Sequence, residues 1–192
     1  MDMKRTKMEI EIRAFIDDFS SIKEILSELG AKKVDETIIE DIWFCKDHIK
    51  SYEETKMNKV GSYGLRFRLQ KDRKPQICIK TILNENDHQV FGEFETEFEN
   101  PKEMEKIFQI LGFKKFCVVN KKRETYSYEN MKINLEDIRG FNPCIEIEII
   151  DHGNFEENKK KMHKITDLLK IKEENRINTS ITSLFMEKNS FK

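Results

Sequence analysis

Glu9-Ile10-Glu11-Ile12-Arg13 alternates charged and apolar residues without a break. Such alternation is the mark of a β-strand with two unlike faces. Successive side chains on a strand point to opposite sides, so positions 9, 11 and 13 share one face. Two carboxylates and a guanidinium therefore lie in a row, with the acids roughly 7 Å apart along the strand. Near the other end of the chain the acid pair recurs in Cys144-Ile145-Glu146-Ile147-Glu148-Ile149. We read the two pairs as meeting across a barrel and holding a divalent cation.

Composition narrows the classes. The chain has 192 residues, which suits one domain, taken here as residues 1–192. Charged residues make up 37% of it, yet the net charge is only -1, which argues against a general nucleic-acid binder. No apolar run approaches the roughly 18 residues of a spanning helix, so no membrane partner is expected. The first residues, Met1-Asp2-Met3-Lys4-Arg5-Thr6-Lys7, lack the apolar stretch of a secretory signal. Cys45, Cys78, Cys117 and Cys144 are far apart, without the close spacing of zinc ligands, and sit in apolar strand-like contexts. Reduced thiols in a cytoplasmic protein are the expectation, and zinc is not.

Periodicity gives the elements. Residues 17–29 have helical spacing that stops at Gly30, and 34–45 read as a strand. Residues 46–62 are polar and read as a long surface loop. Strands follow at 64–69, 76–83 and 89–99, with turns at 71–75 and 84–88. Pro101 opens a helix that Gly112 closes. Residues 116–129 and 131–138 read as a hairpin, 144–150 as the last strand, and 155–169 as a helix. A short amphipathic end is built on Ile181, Leu184 and Phe185. Trp43 and Phe44 read as core, and His48, His88, His152 and His163 as surface.

The charges are sorted by strand. Arg66 and Arg68 oppose Leu65 and Phe67, and Lys80 opposes Ile77 and Ile79. Glu93, Glu95 and Glu97 oppose Phe94 and Phe98. Lys121 and Arg123 share one parity, Asn134 and Glu136 another, and Glu146 and Glu148 oppose three isoleucines. A sheet with one wet face explains any single strand of this kind. It does not explain strands of uniform sign, because like charges facing each other on a sheet repel. Clustered carboxylates call for a cation, and clustered arginines for an anion such as phosphate. A metal-bound polyphosphate satisfies both.

In this order the motifs resemble the CYTH domains, or triphosphate tunnel metalloenzymes. These include class IV adenylate cyclases, thiamine triphosphatases and inorganic triphosphatases. Glu9-x-Glu11-x-Arg13 is similar to the family's opening ExExK signature. Leu65-Arg66-Phe67-Arg68 resembles its basic third strand, Ile79-Lys80-Thr81 its lysine strand, and Glu93 to Glu97 its acidic fifth strand. Lys121-Lys122-Arg123 and Leu135-Glu136-Asp137-Ile138-Arg139-Gly140, with Ile145 to Glu148, resemble the closing blocks. Three positions depart from the pattern: Arg13 replaces a lysine, Glu136 an aspartate and Asn142 a glycine.

The resemblance implies an α+β fold, an antiparallel eight-stranded barrel with helices packed outside and polar residues lining the lumen. It implies a triphosphate held by Arg13, Arg66, Arg68, Lys80, Lys121 and Arg123. Mg2+ or Mn2+ would be held by Glu9, Glu11, Glu136, Glu146 and Glu148, with Glu93 or Glu95 orienting the attacking water. The expected activity is triphosphate hydrolysis. The alternatives are cyclic AMP formation from ATP and metal-free polyphosphate or nucleotide binding. A homodimer is a further expectation of the resemblance.

Overall fold

The computed structural model describes residues 7–57, 59, 62–82, 90–151 and 154–188. Eight antiparallel strands carry the chain: β1 (Lys7–Phe15), β2 (Lys32–Lys46), β3 (Tyr63–Gln70), β4 (Gln76–Ile82), β5 (Val90–Glu97), β6 (Phe113–Tyr128), β7 (Met131–Ile138) and β8 (Cys144–Asp151). Their hydrogen-bonded order is that of a closed barrel, β1-β5-β4-β3-β2-β6-β7-β8. The helices are α1 (Phe19–Glu28), α2 (Tyr52–Thr55), α3 (Pro101–Ile110), α4 (Phe155–Leu168) and α5 (Ile181–Lys188). The fold is thus the α+β arrangement that the motifs imply.

Local chemistry sets the ends. The Asp18 carboxylate accepts from the Ser21 N–H and starts α1, and Asn100 does the same for α3 ahead of Pro101. Gly30 and Gly112 take the left-handed conformation just past α1 and α3, where a side chain would be strained. Residues 46–62 are less irregular than their polarity suggests. Ser51 caps the single turn of α2, and Lys56 ends it with a positive φ. The turn expected at 84–88 lies outside the described residues, as do His88 and His152. His48 and His163 are exposed.

Contacts divide the chain into two compact units whose limits fall inside β2 and β6. In the unit holding Lys7–Ile38 and Lys121–Asn178, β6 pairs with β7, β7 with β8, and β8 with β1. One face of this sheet presents Ile10, Ile12, Ala14, Ile133, Leu135, Ile145, Ile147 and Ile149. They pack under Ile22 and Leu26 of α1, Met162 and Ile165 of α4, and Leu169 at its C-terminal cap. A 3-10 turn at Glu173–Asn175 then leads the chain back to β1. Ala14 makes an isolated antiparallel bridge with Arg176, and the Ile177 N–H donates to the Arg13 carbonyl at 2.8 Å.

The unit holding Ile39–Asn120 pairs β2 with β3, β3 with β4, and β4 with β5. Its apolar face is aromatic. The Phe67 ring centroid lies 4.5 Å from Phe44, 4.9 Å from Phe98 and 4.8 Å from Phe108 of α3, in tilted arrangements. Each such pair adds about 0.5–1.5 kcal/mol beyond its buried area. Replacing Phe67 by Ala removes three of these contacts and leaves a void. The expected cost is about 3–5 kcal/mol, read as a lowered urea midpoint at unchanged slope.

Candidate active site

Because each sheet packs its apolar face under helices, the charged side chains are committed to the other face. In the first unit that face carries Glu11 and Arg13 of β1, Lys121, Arg123 and Thr125 of β6, Asn134 and Glu136 of β7, and Cys144, Glu146 and Glu148 of β8. It is not a wet surface. Glu136 is 0% exposed, Asn134 1% and Glu146 3%. The alternate residues of β6 show the contrast. Lys122 and Glu124 pair with Glu36, Lys23 and Lys33 in a more exposed network on the opposite side.

Register turns sequence spacing into cross-strand rows. Thr125, Asn134, Glu146 and Arg13 stand opposite one another on β6, β7, β8 and β1. Hydrogen bonds run along this row. Thr125 Oγ1 donates to Asn134 Oδ1 at 2.8 Å, and Asn134 Nδ2 donates to Glu146 Oε1 at 3.1 Å. The other oxygen of Glu146 pairs with Arg13, and Arg123 Nη2 reaches Oε1 at 2.9 Å. In the next row Glu136 Oε1 accepts from Lys121 Nζ at 2.7 Å and from Arg123 Nε at 2.6 Å. Glu136 Oε2 is buried without a hydrogen-bond partner, and so is Arg13 Nε.

Glu11 and Glu148 face each other directly in the register. Like charges in that position destabilise a sheet unless a cation lies between or beside them. The nearby bases are Arg13, 3.8 Å from Glu11, and Lys132, 3.3 Å from Glu148. Glu9 stands opposite Ile150, and its side chain lies outside those described. Of the five acids expected to hold a metal, then, Glu11 and Glu148 face one another. Glu136 and Glu146 are engaged by bases.

Burial pushes the Glu136 carboxyl up, but Arg123, Lys121 and Arg13 outweigh it and hold the group well below the ordinary carboxylate range. Cys144 lies opposite Glu136, and burial raises its thiol to about 12.

In the second unit the corresponding face carries Asp41 and Trp43 of β2, Gly64, Arg66 and Arg68 of β3, Gln76, Cys78 and Lys80 of β4, and Glu93 and Glu95 of β5. Arg68 grips Asp41 with two hydrogen bonds, Nε to Oδ1 at 2.8 Å and Nη2 to Oδ2 at 2.9 Å. Arg66 is 5% exposed and sits among three carboxylates at longer range: Asp41 at 3.7 Å, Glu93 at 3.6 Å and Glu95 at 4.0 Å. Its Nε has no hydrogen-bond partner. Lys80 stands opposite Glu93.

Cys78 Sγ donates to Glu93 Oε1 at 2.8 Å, and Gln76 donates to Glu95 at 3.2 Å. Among the described residues, Cys78, Glu93 and Glu95 are the one trio whose donor atoms converge as metal ligands would. In the metal-free protein burial lifts the Cys78 thiol to about 12, and Arg66 places a positive charge beside both carboxylates.

Sequence reasoning missed Asp41, Thr125 and the placement of Trp43. Asp41 belongs to the acidic set, and its parity with Trp43 against Ile42 and Phe44 was the available signal. The Thr125–Asn134 relay is neutral and leaves no trace in a charge pattern. Trp43 is a correction: it is not core. Only Phe44 enters the aromatic cluster, while Trp43 stands opposite Arg66 on the charged face, 5.6 Å from its guanidinium carbon.

A family model described as the CYTH domain matches residues 7–181. The chain belongs to the CYTH family. A protein of Methanocaldococcus jannaschii named "Putative adenylate cyclase" is 28% identical to this CYTH chain over 179 residues, 92% of it and 98% of the relative. The structure of the PH1012 protein of Pyrococcus horikoshii OT3 has a TM-score of 0.77 at 29% identity, covering 92% of this chain and 98% of that one. A Hippeastrum structure, described as a "putative adenylyl cyclase" with a dominant triphosphatase activity, has a TM-score of 0.62 at 17% identity. It covers 95% of this chain and 96% of the other, and shares the fold. No described helix of this CYTH chain is long and apolar enough to cross a membrane.

Two outcomes follow from the burial of these groups. Glu136→Gln removes the buried carboxylate that Lys121 and Arg123 share, and is expected to cost about 3–5 kcal/mol in chemical denaturation. At pH 8 a thiol reagent should leave Cys78 and Cys144 unmodified in the folded protein and modify both in urea. A thiol raised in the folded state also makes stability fall as pH rises from about 9 towards about 12, because the unfolded chain then binds fewer protons.

Proposed function

We propose that the protein is a metal-dependent phosphohydrolase acting on a triphosphate, with residues 1–192 working as one functional domain. The observation that carries this reading is the facing pair Glu11 and Glu148 beside the half-buried bases Arg13 and Arg123. Two carboxylates set face to face attract a cation, and two guanidiniums converging on the single carboxylate of Glu146 attract a further anion. The donor set is hard oxygen, which suits Mg2+ or Mn2+. Glu11 and Glu148 would hold the ion, joined by Glu9, two residues before Glu11 in the sequence of β1, and by Glu146 next along β8. Glu136 is better suited to fixing Lys121 and Arg123, although its free Oε2 leaves it one donor to offer. When bound, the ion would neutralise phosphate charge and acidify a water.

The bases do the rest. Arg13, Lys121 and Arg123, and in the other unit Arg66, Arg68 and Lys80, are proposed to neutralise phosphoryl oxygens. Arg66 is the best prepared of them, since it is buried, charged and has a donor to spare. Glu93 and Glu95 flank Arg66 and are proposed to orient the attacking water and take its proton.

Cyclisation of ATP is the second reading, favoured by the name of the Methanocaldococcus relative. The same bases would then hold ATP while its 3'-hydroxyl attacks the α-phosphate and pyrophosphate leaves. Incubation with ATP, tripolyphosphate or thiamine triphosphate, with Mg2+ or Mn2+, separates the two. Orthophosphate release is expected, and cyclic AMP as the main product overturns the hydrolase. Glu11→Gln and Glu148→Gln should each lower turnover by at least roughly 10- to 100-fold and raise the metal concentration needed. A metal-free polyphosphate binder would instead keep or gain affinity in both variants.

A further inference from the structure

Trp43 is the only tryptophan in the chain. Its strand alternates buried Ile42 and Phe44, which enter the aromatic core, with Asp41 and Trp43, which do not. Trp43 is partly exposed and stands directly opposite Arg66. The position beside Arg66 on the same face of β3 is Gly64. A Cβ built there would come within 2.8 Å of Trp43 Cζ3, so the indole lies against the bare backbone of the strand. The missing side chain at Gly64 is what lets the ring lie down on the charged face. Among the residues described on that face of this unit it is the one aromatic group, and its neighbours are the guanidiniums, lysine and carboxylates proposed to handle phosphate.

We infer that Trp43 is a specificity residue, a stacking surface for the neutral nucleobase of a nucleoside triphosphate whose phosphates reach Arg66. This rests on the triphosphate reading above and narrows its substrate class. A planar indole offers a base an area that a bare polyphosphate cannot use. The Arg66 guanidinium, 5.6 Å from the ring, selects between organic groups. It favours a neutral purine over a cationic ring such as a thiazolium, which would be placed beside a like charge.

The test pairs two ligands that share the phosphates and differ in the base. ATP should quench the emission of Trp43 in the wild type saturably, and tripolyphosphate should not. By calorimetric titration, Trp43→Ala should weaken ATP by roughly 5- to 150-fold relative to tripolyphosphate. Trp43→Phe, which keeps a ring, should restore most of the difference. Gly64→Ala, which keeps the tryptophan in the sequence but pushes its ring off the strand, should show the same selective loss. Equal loss for both ligands in Trp43→Ala, or no loss for either, overturns the inference while leaving the triphosphate site standing. A wild type that binds neither ligand, with or without Mg2+, removes the triphosphate reading and this inference with it.

Discussion

A carboxylate that no water reaches must be answered by a positive charge, and Glu136 is that carboxylate here. Its Oε1 takes hydrogen bonds from Lys121 and Arg123 on the neighbouring strand, and the position is fully buried. Burying one charge without its partner is far costlier than burying both. The register of β6 against β7 is therefore fixed twice over, by the isoleucines and leucine on one face and by this cluster on the other. A slip of one residue would exchange the faces and place three ionised groups under the helices.

That constraint explains why the two faces differ so completely in character. Isoleucine dominates the side under α1 and α4, where shape and area decide. The other side is governed by counting donors and acceptors. Its bases and acids are matched strand against strand, and the atoms left over are informative. Arg66 Nε, Arg13 Nε and Glu136 Oε2 have no hydrogen-bond partner although they are buried. Buried polar atoms are rarely left that way.

Much of this was legible in the chain, because strand alternation is a strict code. The parity of Glu11, Arg13, Arg66, Arg68, Glu146 and Glu148 could be read from spacing alone, and so could the apolar positions opposite them. Spacing could not supply partners. That Arg68 is held by Asp41, or that Glu146 is ringed by Arg13, Arg123 and Asn134, depends on which strands lie side by side and at what offset. Trp43 shows the other limit. An aromatic next to an aromatic in an apolar strand looks like core, yet neighbouring residues on a strand never share a face. The short helix α2 was hidden for a simpler reason: one capped turn leaves no periodicity to detect.

The clip that joins Ile177 to Arg13 has a consequence for how the protein is made. β1 precedes each of its strand partners in the chain. Its partner β8 follows about 130 residues later, and the Ile177 N–H later still. Until β5 and then β8 have been made, β1 lacks a strand to pair with along its edges. Its alternating acids then act as a deterrent against premature pairing with other nascent chains, so the residues proposed to serve catalysis would also serve as a guard during translation.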